Sequence, residues 1–421
     1  MFWTVASSFP LLNGGLNDYK GLYLGENTTN DAMLFDQFML NDKRKNHNQI
    51  IIGTSGSGKS TLTKKEIAFH LNMGRTVIVI DPEREYQNLC NYYKGQWIDI
   101  GNATIGRINP LQVLDNNFKE LDEATTENFD EINEAPVSNH LRTLTQWFRT
   151  LYHDLKEREL RVLINEIQKT YTKFQITNAT DISKLKPGQF PTFQNLYETI
   201  CHSYQEKPNK TLNELMDIIQ YDFCNDGQYS KLWNGHTTLN FNNQFVVYDV
   251  WTLFDQDIPK IIAAQLYLVL AFIKGEVKRN RFKKDKELII VIDEAHLAID
   301  KDNPVALNFM YQMVKRCRKY HAGIIITTQN INDFTGTEDI KKKTTAMINN
   351  TQYTFIFNLA PSDLNDVKLL YQSYGGLSPE ETDFIQRAGK GDALMIVHSY
   401  ERYCLNISIL NSEFKAFDNI K

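Results

Sequence analysis

A glycine-rich segment near the start of the chain has the residue types that bind phosphate. Residues 50–61 read IIIGTSGSGKST, and from Gly53 to Ser60 they fit the pattern G-x-x-x-x-G-K-S/T between an apolar run and a helical stretch. The glycines let successive backbone N–H groups point at one anion, and the following helix adds its positive end. We expect Lys59 to reach the β- and γ-phosphates of a nucleotide and the Ser60 hydroxyl to bind Mg²⁺. The predicted nucleotide site comprises Gly53, Thr54, Ser55, Gly56, Ser57, Gly58, Lys59, Ser60 and Thr61.

Two adjacent acids follow a second apolar run, residues 288–292. If this run is a buried parallel strand, Asp293 and Glu294 face the crevice at its carboxyl end, where ligands bind. Asp293 can then hold Mg²⁺ through water, while Glu294 polarises the water that attacks the γ-phosphate. The alternative is that Asp293 caps the next helix and Glu294 lies in its first turn. Beside a phosphate-binding loop, the pair predicts hydrolysis and not binding alone.

Polar residues farther along the chain are candidates for contacting the γ-phosphate. Gln329 follows a third apolar run, and it can hydrogen-bond the γ-phosphate or the water if that strand lies beside the one carrying Asp293. A basic cluster at 315–319 ends the preceding helix, where the helix dipole alone favours cations. The cluster also offers an arginine finger next to the γ-phosphate edge for a neighbouring subunit's site, for which we favour Arg318 over Arg316.

Two nearby residues have simpler interpretations. Asp81 follows the run 77–80 and therefore also lies at the carboxyl edge of the sheet. With Pro82 behind it, Asp81 fits the start of a helix equally well, and both interpretations can hold. His296 lies two residues after Glu294 and could touch the site, but we favour packing at a helix start and leave it out of the catalytic set.

The composition is that of an ordinary globular protein. The chain has 421 residues, 46 Lys and Arg against 51 Asp and Glu, and a formal charge of −5, which excludes a disordered chain, a collagen and a strongly basic DNA-coating protein. The five cysteines show no CxxC spacing, as expected of reduced thiols in a cytosolic protein. The longest apolar run, 261–273, is shorter than the roughly 18–20 residues that span a bilayer. We therefore expect no transmembrane segment.

The pattern of apolar residues predicts an α/β fold with a largely parallel sheet covered by helices. Non-alternating apolar runs predict strands buried on both faces, with helices at 59–72 and 304–320 between some of them. The strand-like runs are 50–52, 77–80, 245–247, 288–292, 324–326 and 354–357.

Helical periodicity interrupts this pattern from 138 to 234. We divide the chain accordingly into a sheet domain, 1–114 and 237–421, and an all-helical insert, 115–236. The insert begins with an acidic stretch, 115–134, which we expect to be solvated. Residues 1–48 are expected to add a small antiparallel strand element.

Two basic stretches leave a role in nucleic-acid or membrane binding open. Residues 274–286 contain seven basic and two acidic residues, and Lys341–Lys343 add three more cations. Such segments can contact DNA or anionic lipid, although most are solvated loops between a helix and a strand. The overall negative charge argues against nonspecific duplex binding over a large face.

Several segments resemble the motifs of the type IV secretion and conjugation ATPases, the VirB-four/TraC/CagE class. The resemblance covers nearly the whole chain, although Arg84 stands where that family usually carries Gly. The matching segments are 21–25 (GLYLG), 35–36 (FD), the phosphate loop, 80–86 (IDPEREY), 108–111 (INPL), 291–296 (VIDEAH), 318–320 (RKY), 328–329 (TQ), 377–381 (LSPEE) and 389–395 (GKGDALM).

The resemblance implies a RecA-like P-loop motor domain of the HerA/FtsK branch that binds ATP and Mg²⁺. It implies a hexamer at the cytoplasmic base of a conjugation channel, at the inner face of the cell membrane, with the channel and coupling proteins as partners that provide the membrane association. It gives Lys59, Ser60, Asp293, Glu294, Gln329 and Arg318 the roles stated above. We expect the chain to be the ATPase portion, without the family's N-terminal domain that docks on the membrane complex.

Three functional hypotheses follow. The first is Mg²⁺-dependent ATP hydrolysis that powers assembly of a conjugative type IV secretion system or transfer of its substrate or DNA. The second is a HerA/FtsK-like translocase that acts directly on DNA. The third is a nucleotide-gated assembly scaffold with little turnover.

Overall fold

The computed structural model describes residues 14–102, 106–114, 136–239, 243–255, 258–280, 286–298, 305–329, 338–372 and 375–417. The strands within these residues are β1 Leu22–Asn27, β2 Ala32–Phe35, β3 Asn48–Ile52, β4 Thr76–Asp81, β5 Gln96–Asp99, β6 Phe245–Asp249, β7 Leu288–Ile292, β8 Ala322–Thr328, β9 Tyr353–Ile356, β10 Asp392–His398 and β11 Glu401–Ile407.

The α-helices of the same residues are α1 Lys59–Asn72, α2 Gln87–Tyr92, α3 Pro136–Leu151, α4 Glu157–Lys173, α5 Phe193–Glu206, α6 Lys210–Phe223, α7 Ser230–Trp233, α8 Trp251–Asp255, α9 Pro259–Asn280, α10 Val305–Arg316, α11 Glu338–Asn349, α12 Pro361–Tyr371, α13 Pro379–Arg387 and α14 Asn411–Phe417. Short 3₁₀ turns occupy Ile182–Lys184, Pro187–Gln189, Ala295–Ala298 and Cys317–Tyr320. Of the helices that the structure describes, none combines the length and the apolar character needed to cross a bilayer.

The described strands form one eleven-stranded sheet in the order β2-β1-β11-β10-β9-β3-β8-β7-β4-β6-β5. From β9 to β5 all neighbouring strands are parallel, and from β2 to β9 they are antiparallel. The predicted α/β fold with a mainly parallel sheet is therefore confirmed. The six strand-like runs named above fall in the parallel strands, with Phe357 one residue beyond the end of β9.

Strand β8 lies between β3 and β7, and this order decides which residues meet at the carboxyl edge. Ile52 at the end of β3 pairs with Thr328, and Ile292 at the end of β7 pairs with Ile326. The three chain segments that leave these strands are therefore neighbours: the phosphate-binding loop, Gln329 and the acids that begin at Asp293.

The sheet is buried on both faces. Successive side chains of a strand point to opposite sides, and an apolar cluster covers each side. Ile50 and Ile52 belong to the apolar cluster on one face, and Ile51 belongs to the cluster on the other. Every residue of β3, β6, β7 and β8 is buried. A rigid central sheet of this kind fixes the positions of the residues that follow its strands.

The helices from α3 to α7 pack onto the sheet domain through α9. The indole of Trp147 in α3 donates to the carbonyl of Ala264 at 3.1 Å, and the indole of Trp233 in α7 donates to Oε1 of Gln265 at 2.6 Å. Gln265 in turn donates to the carbonyl of Ile100, just after β5, at 2.9 Å. The polar residue that interrupts the apolar run at 261–273 is thus a buried link between the helices and the sheet. The acidic stretch 115–134 and the start of the predicted insert lie outside the described residues.

Glu66 provides a test of the packing between α1 and the sheet. This carboxyl group is buried against β3 and accepts a hydrogen bond from the Gln49 amide at 2.7 Å. Burial raises its pKa from 4.5 to about 8, and the bond from Gln49 opposes the shift. In the unfolded chain Glu66 ionises near its ordinary pKa. The folded state therefore holds the proton more tightly than the unfolded state between about pH 4.5 and pH 8.

We predict that the free energy of unfolding of Glu66→Gln, relative to that of the parent, is higher at pH 8 than at pH 5. The parent loses unfolding free energy as the pH rises through this window, at roughly 1 kcal/mol per pH unit, whereas the neutral amide removes that loss. Thermal unfolding of both proteins at pH 5, 6.5 and 8 measures the effect. Glu198→Gln, on an exposed helical position, is the control and should shift Tm equally at each pH. A Tm difference for Glu66→Gln that does not grow with pH would contradict a neutral buried Glu66.

Candidate nucleotide-binding and hydrolysis site

The phosphate-binding loop has a backbone conformation that requires glycine. It joins β3 to α1, and Gly56 and Gly58 have φ angles of 76° and 121°. A Cβ atom at Gly58 would lie 3.1 Å from the Phe357 ring and 3.3 Å from the Gly391 nitrogen. Side chains are therefore excluded both by the left-handed backbone and by close neighbours.

Segments from the antiparallel side of the sheet hold this loop in place. The backbone N–H of Thr54 donates to the carbonyl of Asn358, just after β9, at 2.9 Å. The N–H of Gly391, just before β10, donates to the carbonyl of Ser57 at 2.9 Å. The loop is thus shaped by contacts far along the chain as well as by its own sequence.

Lys59, the first residue of α1, lies between the loop and the acids after β7. Its Nζ donates to the carbonyl of Thr54 at 3.2 Å and lies 3.8 Å from Oε1 of Glu294. Both charged side chains are about 5% exposed or less. Burial lowers the pKa of Lys59, and the negative charges of Glu294 and Asp293 partly offset that shift. The structure therefore brings the two predicted halves of the site together.

The first turn of α1 carries the remaining residues of the predicted loop site. Ser60 and Thr61 follow Lys59 directly, and both are partly exposed. Ser55 is exposed on the loop, and Ser57 donates its hydroxyl proton to the Thr54 carbonyl at 2.7 Å. The hydroxyl of Ser60 is therefore the accessible metal-binding candidate on the helix side of the site.

Asp293 has one carboxylate oxygen bound and one left over. The Thr327 hydroxyl donates to its Oδ1 and accepts the Glu294 N–H at 3.1 Å, which ties the end of β7 to the end of β8. Oδ2 is buried and makes no aligned hydrogen bond among the described residues, although the buried Tyr86 hydroxyl lies close enough to interact with this carboxylate. Burial raises the pKa of Asp293 to about 7, and the bond from Thr327 opposes the shift.

A buried carboxylate oxygen without an aligned hydrogen bond is costly and fits a role in holding a cation. In the described part of the chain, no cluster of three or more His, Cys, Asp and Glu side chains could hold a metal by itself. Mg²⁺ usually takes one or two protein ligands together with several waters and substrate phosphates. Ser60 and Asp293 are the residues of this site that fit the ion.

Three side chains surround the Glu294 carboxylate. The Gln329 amide donates to Oε1 at 2.5 Å, Lys59 lies beside the same oxygen, and Nδ1 of His296 lies 3.2 Å from Oε2. Burial would raise the pKa of Glu294, but the contacts with His296 and Gln329 and the charge of Lys59 outweigh it and hold the pKa below its usual value. Glu294 is thus kept ionised. Its φ of 43° is unusual for a residue with a side chain and marks a strained backbone at this position.

Sequence reasoning placed Gln329 at this edge but missed His296. Packing at a helix start was a sufficient explanation for a histidine two residues after Glu294. The signal that could have identified it was its closeness to Glu294 in the chain, since Glu294 directly precedes the 3₁₀ turn Ala295–Ala298 that contains His296.

The prediction that Asp81 and Pro82 begin a helix is wrong. The Asp81 carboxylate accepts three backbone N–H groups of the turn that follows it, and α2 begins only at Gln87. Within that turn Arg84 has a φ of 58°, which a helix does not allow, and its Nε donates to Oδ2 of Asp249 at 2.7 Å. Arg84, which stands in place of the usual family glycine, thus has a left-handed backbone and forms an ion pair.

Arg318 lies at the opposite edge of the sheet from the phosphate-binding loop. It belongs to the exposed turn that precedes β8, and its charge acts on His47, just before β3. The length of a strand, roughly 20 Å, separates it from Lys59 of the same chain. The expectation that it sits next to the γ-phosphate edge is therefore wrong within one subunit. A role in a neighbouring subunit's site stays a prediction.

A family model described as the TraG P-loop domain matches residues 21–387. The match includes the phosphate-binding loop, both acids after β7 and Gln329. The chain belongs to the TraG P-loop domain family. It is accordingly a P-loop NTPase domain.

Individual relatives agree with the family. The chain is 24% identical over 436 residues to an uncharacterised protein of Bacillus anthracis, covering 95% of this chain and 65% of that protein. It is 23% identical over 391 residues to Protein TraC of Escherichia coli K12, covering 92% of this chain and 40% of TraC. The chain thus spans less than two thirds of the length of either relative.

Solved structures match the fold. VirB4 of Thermoanaerobacter pseudethanolicus superposes with a TM-score of 0.80 at 28% identity, covering 95% of this chain and all of that one. Plasmid coupling protein TrwB in complex with ADP and Mg²⁺ superposes with a TM-score of 0.54 at 11% identity, covering 96% of this chain and 93% of that one. At that identity the likeness to TrwB concerns the fold alone.

For this TraG-type P-loop domain we predict that Gly58→Ala lowers nucleotide affinity at least tenfold and leaves the fold intact. A methyl group at φ 121° strains the loop and presses on Phe357, so the loop N–H groups lose their shared direction. Titration with a fluorescent ATP analogue measures the affinity. Gly74→Ala is the matched control, because Gly74 also has a positive φ, 80°. Gly74 lies beyond the far end of α1 from the loop, and a Cβ atom there would have no atom within 4 Å. The control should cost about 1 kcal/mol of stability and no affinity. Equal affinities for the two variants would contradict the assigned loop function.

Proposed function

We propose that this domain hydrolyses ATP to drive a conjugative type IV secretion system. The observation that carries the proposal is the 3.8 Å approach of Lys59 Nζ to the Glu294 carboxylate at the carboxyl edge of the sheet. A phosphate-binding lysine and an ionised acid in one buried site are the elements that water attack on a γ-phosphate requires. The likeness to TraC and VirB4 supports the conjugative setting.

The side chains divide the work as follows. The loop N–H groups and Lys59 bind the β- and γ-phosphates, and Glu294 orients the attacking water through its ionised carboxylate. Gln329, whose amide already contacts Glu294, lies where it can hydrogen-bond the γ-phosphate or the same water. Ser60 and Asp293 would hold Mg²⁺, which would neutralise phosphate charge when bound.

The site is completed by a neighbouring subunit. Arg318 is exposed at the edge opposite Lys59, so in a closed ring, where each subunit presents one face to the next, it is free to enter the next site. An arginine finger supplied in this way accelerates phosphoryl transfer by 10³-fold or more. We place the working assembly, a hexamer, at the inner face of the membrane, attached through channel and coupling proteins.

We predict that Glu294→Gln retains ATP binding and reduces turnover at least a hundredfold. The amide keeps the size of the side chain but cannot polarise water as a carboxylate does. Phosphate release at saturating ATP and Mg²⁺ measures turnover, and nucleotide titration measures binding. Glu198→Gln, on an exposed position of α5, should behave as the parent. Undiminished turnover in Glu294→Gln would remove Glu294 from the reaction.

We predict that Lys59→Ala and Arg318→Ala are each inactive alone and active when mixed. In the mixture, a subunit with Arg318→Ala keeps its own Lys59 and receives Arg318 from a neighbour that carries Lys59→Ala. Phosphate release should therefore reappear, and in the parent it should rise more than linearly with protein concentration. Arg316→Ala is the matched control and should keep most of the parent rate. A parent-like rate for Arg318→Ala at every concentration would exclude it as the finger.

A further inference from the structure

We propose that His296 is a positioning residue that holds the Glu294 carboxylate in its catalytic orientation. The inference deepens the proposed function and rests on Glu294 orienting the attacking water. His296 lies in the 3₁₀ turn Ala295–Ala298, so the chain itself places it beside Glu294 at the end of β7.

The contact between the two side chains is close and enclosed. Nδ1 of His296 lies 3.2 Å from Oε2 of Glu294, and the side chains are 18% and 4% exposed. Both atoms are buried, and neither makes an aligned hydrogen bond with any residue that the structure describes. Leaving two buried polar atoms without an aligned partner is costly, and one N–H···O bond between them satisfies both at once. The pair is therefore predisposed to close into an N–H···O bond.

His296 is the partner of Glu294 that the reaction leaves uncommitted. Lys59 must bind phosphate, and Gln329 is the candidate for sensing the γ-phosphate or the water, so the groups at Oε1 have other tasks while ATP is bound. His296 alone faces Oε2 among these three partners. Burial and the charges of Glu294 and Glu85 raise the pKa of Glu83, on the turn after β4, and His296 lies near enough to this carboxyl group to oppose part of that shift. Glu83 and Glu294 follow neighbouring strands, β4 and β7.

The action of His296 is indirect. We give the His296 ring no contact with phosphate. It acts by fixing the direction of the Glu294 carboxylate. A misdirected base slows the chemical step without changing how tightly ATP binds, because the error is felt only when the water attacks. The signature of a positioning residue is therefore a lower kcat at an unchanged KM.

Two substitutions separate positioning from a structural role. His296→Phe keeps a ring of similar size and removes the donor, whereas His296→Asn keeps an amide N–H near the position of Nδ1. We expect His296→Phe in the full chain to lower kcat 10- to 100-fold with KM and ATP affinity within about twofold of the parent. We expect His296→Asn to restore kcat to within about fivefold. His202→Phe is the matched control, because His202 also lies beside a glutamate, Glu206, at 3.6 Å but on an exposed helix, and it should leave kcat unchanged.

The double variant ties the effect to Glu294. If His296 acts through that carboxylate, His296→Phe adds no further loss to Glu294→Gln. A parent-like kcat in His296→Phe, with Glu294→Gln inactive, would overturn the positioning role and leave the proposed function standing. Loss of nucleotide affinity or of Tm in both His296 variants, without rescue by Asn, would overturn it in favour of a structural role. An active Glu294→Gln would instead refute the proposed function, whatever His296 does.

Discussion

The burial of opposite charges at the carboxyl edge of the sheet is the constraint on which the site depends. Lys59 and Glu294 lie 3.8 Å apart with almost no solvent exposure, and Oδ2 of Asp293, which makes no aligned hydrogen bond among the described residues, is buried beside them. Removing such groups from water is costly, and the attraction between the pair offsets that cost only when the geometry is fixed. The surrounding structure must therefore hold these side chains in place. It does so through the strand order, through hydrogen bonds to the phosphate-binding loop and through the Thr327 hydroxyl.

Strand order makes the largest contribution. Strand β8 lies between β3 and β7. Lys59 therefore follows β3 and the acids follow β7, while Thr327 and Gln329 lie at the end of β8 between them. Thr327 joins the carboxylate of Asp293 to the backbone of Glu294, and Gln329 holds the Glu294 side chain. The antiparallel part of the sheet takes part as well, because segments next to β9 and β10 bind the backbone of the phosphate-binding loop. The sheet thus acts as a rigid support for a site made of strand ends.

The parts of this arrangement that depend on local sequence could be predicted from it. Apolar runs without alternation identified the central parallel strands, and the pattern from Gly53 to Ser60 identified the loop and the start of α1. The parts that depend on contacts distant in sequence could not. The anchoring of Ser57 by Gly391, the hydroxyl bridge of Thr327 and the placement of Arg318 at the far edge all follow from strand order and register, which one sequence does not reveal. The turn at Arg84 was mistaken for a helix start because Asp followed by Pro fits both, and only the left-handed backbone decides between them.

The most direct test is the structure of this chain with a non-hydrolysable ATP analogue and Mg²⁺. We predict that Lys59 Nζ leaves the Thr54 carbonyl for the β- and γ-phosphates, with the ion at the Ser60 hydroxyl and a water between it and Asp293. We also predict a second water between Glu294 and the γ-phosphate. A triphosphate bound elsewhere, or a Glu294 carboxylate that faces away from the γ-phosphate with Lys59 still on Thr54, would contradict the proposed function.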